Sequence, residues 1–175
     1  METLVRVLEG DELRRRVPEL AAVLFDCVAG GASVSFMADF TLADAAAFFE
    51  RVATEAEAGE RVVLAAFVEG RLDGTAQLLL DTPPNQPHRA DLAKMLVHRR
   101  GRRLGLGRNL FEAAEREAIS RGRTLLTFDT VAGSGAERLY LSCGCTKVGE
   151  IPGYALFPNG IPVATSVFYK NLVTH

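Results

Sequence analysis

The segment from Leu96 to Arg108 constrains the fold most, because it joins a predicted strand to a predicted helix through a glycine-containing turn. The strand runs to Val97, and a helical period begins near Gly107. The first turn of a helix presents unpaired N–H groups and the positive end of the helix dipole, which suits a diphosphate. Gly105 and Gly107 lack Cβ, so phosphate oxygens can approach the backbone. The turn carries five arginines: Arg99, Arg100, Arg102, Arg103 and Arg108.

Three interpretations of this turn compete. A P-loop requires a Gly-Lys-Ser/Thr sequence, which the segment lacks. A dinucleotide-binding fingerprint requires a third glycine where this chain has Leu110, and it normally follows the first strand of a βαβ unit. The third interpretation is a basic loop that caps a helix and exposes its charges to solvent. Spacing alone therefore leaves open both an anion site of another type and a solvated basic loop.

The composition limits the classes of protein to which the chain can belong. Its 175 residues are 48% hydrophobic and 24% charged, which is ordinary for a globular protein, and we predict a single domain over residues 1–175. A net charge of -2 argues against nucleic-acid binding, which needs a basic excess. No apolar run approaches the roughly 18–20 residues of a membrane span. Cys27, Cys143 and Cys145 lack metal-type spacing, so we expect reduced thiols, no metal site and a cytoplasmic location.

The apolar period divides the rest of the chain into helices and strands. Thr41 and Asp44 form the pattern of a capping box, which predicts a helix from residue 42 to about residue 58. Residues 61–68 and 75–80 flank turn signals at 69–74 and predict a hairpin. The other predicted elements are strands at residues 4–8, 88–97, 124–130, 146–151 and 164–172, and helices at residues 11–28 (restarted at Pro18), 107–120 and 135–143. This order predicts a mixed α/β plan with a central sheet.

Two motifs resemble sequence blocks of one enzyme family. Arg102-x-x-Gly105-x-Gly107 at a strand-to-helix junction is similar to the acetyl-CoA pyrophosphate signature of the GNAT acetyltransferases, Gln/Arg-x-x-Gly-x-Gly/Ala. Residues 136–144, which include Tyr140, resemble the second block of that family, Ala-x-x-Leu-Tyr-x-x-x-Gly-Phe. The resemblance implies the GNAT fold, an α/β (α+β) architecture with a central mixed, mostly antiparallel twisted sheet flanked by helices. It also implies an N-acetyltransferase with acetyl-CoA as acetyl donor.

Within that family the chain resembles the tabtoxin-resistance acetyltransferases over nearly its whole length. The strings that carry this likeness are residues 30–39, 129–134, 148–154 and 168–170. The likeness implies that the acceptor is the amine of a small, amino-acid-like molecule such as a toxin. Two positions depart from the wider family: Cys145 replaces a common Phe, and Gly133 replaces a common Asn that contacts the cofactor. Ser134 is the candidate to substitute for that contact.

The resemblance also implies which residues form the site. Cofactor contacts are expected from Met95, Leu96, Val97, Arg102, Arg103, Leu104, Gly105, Leu106, Gly107, Arg108 and Ser134. Backbone N–H groups at a strand bulge among the first three would stabilise the oxyanion, whereas the side chains of Met95 and Leu96 suit the core. The segment from Ser33 to Asp39 is expected to form the wall on the acceptor side. An ordered loop between helices is the alternative interpretation of that segment.

Amide formation requires a base and an acid, and the resemblance provides candidates for both. Asp91 and Asp129 are candidate bases for the acceptor ammonium, and the choice between them is open. Tyr140 matches the acid of the family, which protonates the departing thiolate. The alternatives that need no catalysis are a surface charge for Asp91, a turn or cap residue for Asp129 and a core aromatic for Tyr140.

Two further functions are compatible with the same motifs. One is a sensor or regulatory module that binds acetyl-CoA without transfer, and the other is a protein N-acetyltransferase, which would need an open acceptor groove. The expected partner is a small-molecule amine, with no nucleic acid and no membrane. A homodimer is compatible with the sequence, which does not require one.

Overall fold

A seven-stranded sheet forms the centre of the structure, a computed structural model that describes residues 1–172. Its strands are β1 (Thr3–Leu8), β2 (Arg61–Val68), β3 (Arg71–Leu79), β4 (Arg89–Val97), β5 (Leu125–Val131), β6 (Thr146–Leu156) and β7 (Pro162–Asn171). They lie in the order β1-β2-β3-β4-β5-β7-β6, and every neighbouring pair is antiparallel except β4 and β5, which are parallel. The prediction of a mixed, mostly antiparallel sheet is confirmed.

Helices cover both faces of this sheet. They are α1 (Gly10–Arg15), α2 (Val17–Ala29), α3 (Leu42–Glu57), α4 (Leu106–Ser120) and α5 (Gly135–Ser142), and a short 3-10 helix, Arg99–Gly101, precedes α4. Alternation along β2 divides the core, because Val62 and Leu64 pack with α4 whereas Val63 and Ala65 pack with α1, α2 and α3. We call these sides of the sheet the α4 face and the α2–α3 face. None of the helices within residues 1–172 has the length and apolar content needed to cross a bilayer.

Helix α3 begins at the predicted capping box. The backbone N–H of Asp44 donates to the Thr41 hydroxyl at 3.1 Å, and the Asp44 carboxylate accepts from the Thr41 backbone N–H at 2.8 Å. Two of the N–H groups that a helix start leaves unpaired are thereby satisfied. The cap also fixes the end of the loop at residues 30–41, which connects α2 to α3 beside the sheet.

The turn predicted between β2 and β3, at residues 69–74, is wrong because it is longer than the turn in the structure. Strand β3 begins at Arg71 rather than at residue 75, and the turn consists of Glu69 and Gly70, both at positive φ. Gly74, which contributed to the turn prediction, lies inside β3. A Cβ atom there would lie 3.1 Å from the Leu110 side chain, so this glycine permits close packing of α4 rather than a chain reversal.

Two other boundaries differ from the predictions. Strand β6 extends to Leu156 rather than to residue 151, because β7 continues to pair with it beyond a register shift between Ile151 and Ala155. The predicted helical stretch at 11–28 is two helices that meet at Arg16, and Pro18 lies in the first turn of α2 as predicted.

Candidate active site

An opening between β4 and β5 is the central feature of the site. The two strands pair only where residues 89–91 lie beside residues 125–127, and among the described residues their ladder ends there. A bulge at Lys94, whose φ is 49°, interrupts β4 beyond this point. Within residues 1–172 neither β5 nor another strand pairs with this edge of β4 at residues 92–97, so backbone hydrogen-bonding groups there have no strand partner. The strands therefore form a cleft with a narrow end and an open end.

The side chains of Met95, Leu96 and Val97 belong to the core. Leu96 is buried on the α2–α3 face, and Met95 and Val97 pack partly buried against the α4 cluster. The open edge of β4 is therefore formed by backbone groups of this segment and not by these three side chains. The predicted function of these backbone groups as oxyanion donors is compatible with the packing of the side chains.

The start of α4 lies at the open end of the cleft, directly after β4. Gly105 is the N-cap residue, at a left-handed φ of 78°, and it has no side chain to bond the first N–H groups of the helix. Arg103 is also left-handed, with a φ of 63°. Successive N–H groups in such a turn converge on one point and suit an anion. Leu104 and Leu106 anchor the turn, since both pack against the core.

The two glycines of this turn have different functions. A Cβ atom on Gly105 would meet no atom of residues 1–172 within 4 Å, so the backbone there borders open space in the described structure. A Cβ atom on Gly107 would lie 3.0 Å from Cδ2 of Leu139, on the neighbouring helix α5. Gly107 is thus required for the contact of α4 with α5, in addition to any approach of a ligand.

Two of the five arginines stabilise the loop itself. Arg99 donates to the carboxylate of Asp26 through its backbone N–H at 2.8 Å and its Nε at 2.9 Å. Arg100 donates through Nε to the fully buried Asp73 at 2.6 Å. Burial alone would raise the pKa of Asp73, but hydrogen bonds from Arg71 and Arg100 hold it below its usual value. These pairs connect the loop to α2 and β3.

The other three arginines remain close to the start of α4. Arg103 is exposed, and Arg102 makes only a long contact of 3.4 Å from Nε to the Val97 carbonyl. Arg108 donates to the hydroxyl of Ser142 at 2.8 Å, so it also joins α4 to the end of α5. Arg103 is therefore the cation that an incoming anion can reach with the least rearrangement.

Tyr140 combines a buried ring with an accessible hydroxyl. Its ring packs against Phe111, Phe128 and Phe168 on the α4 face, with centroids 4.5–5.9 Å apart. Within residues 1–172 its hydroxyl forms no hydrogen bond. The oxygen is nevertheless not fully enclosed by the protein. Burial raises the pKa of this phenol, and the neighbouring Cys145, Cys143 and Asp129 add to the effect. Tyr140 is therefore protonated at neutral pH and has a proton to donate.

The structure separates the two candidate bases. Asp129 is exposed near the open end of β5, and none of the described side chains forms a hydrogen bond with it. Asp91 lies at the narrow end, where its carboxylate accepts hydrogen bonds from Arg89 and Thr127. Both acids project from the α2–α3 face, since their neighbours in sequence pack into the α4 cluster. Tyr140 and Asp129 thus share the open end, and Asp91 does not.

A buried carboxylate fixes the turn between β5 and α5. Glu137 accepts hydrogen bonds from the Gly133 backbone N–H at 2.8 Å, the Ser166 hydroxyl at 2.8 Å and the Lys147 ammonium at 2.9 Å. These bonds lower the pKa of Glu137 from 4.5 to about 2, with the Lys147 bond as the largest cause. Ser134 caps α5 by accepting from the Glu137 N–H at 3.2 Å, and its own proton is left for another acceptor.

The loop at residues 30–41 contacts the loop between β6 and β7. The Ser33 hydroxyl donates to the Leu156 carbonyl at 2.8 Å, and the Ala38 N–H donates to the Pro158 carbonyl at 3.0 Å. A mostly apolar pocket of about 450 Å³ lies between the end of α2, this loop and residues 157–159. Asp39 is exposed next to it. The predicted wall of Ser33 and Asp39 is therefore an ordered loop, and it borders a pocket.

The residues that hold the loops in place were not predicted from the sequence. Each of them bonds to a group that is distant in the sequence. Asp26 bonds to Arg99, 73 positions away, and Asp73 bonds to Arg100, 27 positions away. Glu137 bonds to Ser166, 29 positions away. No local pattern marks such residues, although a turn with five arginines implies acidic partners somewhere. No group of three or more His, Cys, Asp and Glu side chains within residues 1–172 is arranged to hold a metal ion.

We expect Glu137→Gln to lower the stability of the protein in a pH-dependent way. Because the folded-state pKa is depressed, the stabilisation by Glu137 is present above about pH 4.5 and is lost as the pH falls towards about 2. The melting temperature of the variant should thus lie below that of the original protein at pH 7, and the difference should shrink through this window. Glu60→Gln, at an exposed position, is the control. A difference that is equal at every pH would contradict this assignment.

Comparison with known proteins identifies the family. The sequence model of the acetyltransferase (GNAT) family matches residues 31–145. The yncA protein of Salmonella typhimurium, solved with its cofactor acetyl-CoA, is 18% identical, with a TM-score of 0.80 over 100% of this chain and 96% of the other. An N-acetyltransferase from Staphylococcus aureus Mu50 is 15% identical, with a TM-score of 0.82 over 99% and 100%. Ribosomal-protein-alanine N-acetyltransferase from Brucella melitensis is 24% identical, with a TM-score of 0.79 over 97% and 99%.

These structures share the fold at low identity, and the family match covers well over half of the chain. The matched residues contain the strand–turn–helix junction, the cleft between β4 and β5, Asp129 and Tyr140. The chain belongs to the GNAT acetyltransferase family, and it is an N-acetyltransferase.

Proposed function

We propose that this protein transfers the acetyl group of acetyl-CoA to the amine of a small, amino-acid-like acceptor. The observation that carries the proposal is the division of the cleft. The start of α4 and Tyr140 lie on the α4 face, and Asp129 and the loop at residues 30–41 lie on the α2–α3 face. An anionic donor and a cationic acceptor can therefore approach from opposite sides. The likeness to tabtoxin-resistance acetyltransferases supports the same class of acceptor.

The residues at the start of α4 fit a diphosphate. Gly105 borders open space, the first N–H groups of the helix have no cap, and Arg103 is exposed beside them. Arg102, Arg108 and Ser134 have hydrogen-bond donors nearby. When bound, acetyl-CoA supplies an activated acetyl thioester. The free edge of β4 would align its acyl end by backbone hydrogen bonds.

Asp129 is the better candidate for the base. It is exposed on the acceptor side, and no described cation neutralises it through an ion pair. It can therefore accept a proton from the acceptor ammonium, directly or through water. The Asp91 carboxylate already accepts hydrogen bonds from Arg89 and Thr127, so it is less free to contact an acceptor. We assign Asp91 to positioning, since its bonds hold β4 and β5 together at the narrow end.

Tyr140 is the candidate acid. Its raised pKa keeps the proton on Oη until a strongly basic group approaches, and a thiolate without a water shell is such a group. Because the surrounding aromatic rings fix the orientation of the phenol, the proton is delivered at one place on the α4 face. The acid and the base thus act on opposite sides of the sheet.

The contacts between two loops on the acceptor side favour a small acceptor. The bonds of Ser33 to Leu156 and of Ala38 to Pro158 join two loops across the acceptor side. A protein segment would need an open groove there. The pocket of about 450 Å³ beside these loops has the size of a small-molecule site, and neither Asp129 nor Tyr140 lines it. The free thiols of Cys27, Cys143 and Cys145 fit a reducing compartment, so we place the reaction in the cytosol.

We expect acetyl-CoA and small amines, especially amino acids, to give free CoA thiol in stoichiometric amounts with acetylated product. Thiol release and mass spectrometry of a panel of amino acids, simple amines, alcohols and N-terminal peptides measure this. Alcohols should not react, because Asp129 attracts a cationic amine. Transfer to peptides alone would favour a protein N-acetyltransferase. Binding of acetyl-CoA without transfer to any acceptor would favour a sensor.

We expect Arg103→Glu to weaken acetyl-CoA binding about 10-fold or more, because it replaces an attractive charge at the phosphate site by a repulsive one. Arg103→Gln should have a smaller effect, and both effects should decrease at high salt. Arg116→Glu, exposed farther along the same helix, changes the net charge equally and is the matched control. Calorimetry measures the affinities. Equal losses in the Arg103 and Arg116 variants would show that the phosphates bind elsewhere.

We expect Tyr140→Phe to lower turnover about 100-fold or more, the usual scale of general acid catalysis. The substitution retains the ring and its aromatic contacts, so the melting temperature and the affinity for acetyl-CoA should change little. Steady-state kinetics with one reactive amine measures the effect. A turnover within about a factor of two of the original would assign Tyr140 to packing alone.

A further inference from the structure

A single lysine occupies the bulge of β4 on the acceptor side of the cleft. The Lys94 ammonium donates to the Ser35 hydroxyl at 3.0 Å, and it lies 5.7 Å and 6.0 Å from the ring centroids of Phe36 and Phe48. Its side chain is partly buried under the loop at residues 30–41. The bulge therefore directs this cation towards the loop that borders the acceptor side.

Lys94 has no acidic partner among the described residues. The other cations near the sheet on this face are paired, Arg61 with Glu55 and Arg89 with Asp91. Burial lowers the pKa of Lys94, Arg61 lowers it further, and Asp129 raises it without forming an ion pair. A partly buried cation without a counter-ion is costly, and an anionic ligand would relieve that cost.

The backbone at both ends of the Lys94–Ser35 bond is strained. Lys94 has a φ of 49° and Ser35 a φ of 81°, in a region that residues with a side chain rarely adopt. Such strain persists where the surrounding structure imposes it, and it is frequent at ligand sites. The Ser35 hydroxyl accepts from the ammonium and retains its own proton for donation. Ammonium and hydroxyl together thus offer two donors to one anion.

The anion that fits this place is not a phosphate of the donor. The predicted phosphate site lies at the start of α4, which packs on the opposite face of the sheet. Lys94 and Asp129 instead project from the same face, on the two strands that border the cleft. A zwitterion with neighbouring ammonium and carboxylate groups complements this pair of opposite charges.

We propose that Lys94, with the Ser35 hydroxyl, binds a carboxylate of the acceptor and so selects amines that carry one. This inference rests on the proposed function and names the acceptor group that the site recognises. Asp129 faces the ammonium of the same molecule, and Lys94 faces its carboxylate. Lys94 determines specificity and takes no part in proton transfer.

Kinetics with paired acceptors tests the proposal. Each pair consists of an amino acid and its carboxamide, which keeps the amine and replaces the carboxylate by a neutral group. The ratio of kcat/KM for the amino acid to kcat/KM for the carboxamide is measured in the original protein and in Lys94→Met, which retains the apolar stem over Phe36 and Phe48. Because two ratios are compared, the different basicity of the two amines cancels. We expect the ratio to fall about 10- to 100-fold, mainly through KM.

Lys94→Arg should restore most of the lost preference, since it restores the charge, and Lys94→Gln is a second neutral variant if Lys94→Met does not fold. Circular dichroism and acetyl-CoA affinity report on the fold and on the donor site. A ratio that does not change in either neutral variant would overturn the assignment of Lys94, while transfer to amines would still support the proposed function. Absence of transfer to any amine would overturn the proposed function and, with it, this inference.

Discussion

The separation of β4 from β5 beyond their first three paired residues is the constraint on which the site depends. At the narrow end, Arg89 and Thr127 bond the carboxylate of Asp91 and hold the two strands together. Beyond it, the bulge at Lys94 breaks the regular pairing of β4 with β3, and β5 continues beside β7. A parallel pair that stays joined would bury the edge of β4. The interruption leaves that edge free and gives the cleft access from both faces of the sheet.

Ion pairs divide the arginines of the turn into those bound to carboxylates, which hold the loop in place, and those that remain exposed to solvent. Asp26 and Asp73 engage Arg99 and Arg100, so that the loop before α4 is fixed to α2 and β3. Asp26 offsets the charge of Arg99, and Asp73 offsets part of the charge of Arg71 and Arg100, so these arginines contribute less field to a ligand. Arg103, without such a partner, remains exposed at the helix start. The same arrangement explains why a local excess of positive charge is compatible with a net charge of -2.

The proposed acid, Tyr140, and the proposed base, Asp129, lie on different faces of the sheet because side chains alternate along one strand. Phe128 points into the α4 cluster and packs on Tyr140, and Asp129, the next residue, points to the other face. The network around Glu137 then fixes the turn that connects this strand to α5. A shift of one residue in the pairing of β5 with β7 would exchange the two faces. The register of this pair therefore determines on which face of the sheet Asp129 lies and on which face Phe128 packs against Tyr140.

Local patterns in the chain were sufficient to predict the helices, most strands, the capping box at Thr41, and the strand–turn–helix junction with Gly105 and Gly107. Each depends on residues within a few positions of one another, where period, caps and glycines act directly. Which charges are compensated and which are free depends instead on contacts between distant parts of the chain. Asp73, which lies inside the predicted turn, is the buried partner of Arg100. Lys94 donates a hydrogen bond to Ser35, which is 59 positions away in the sequence. Such contacts depend on sheet order and register, which no local pattern encodes.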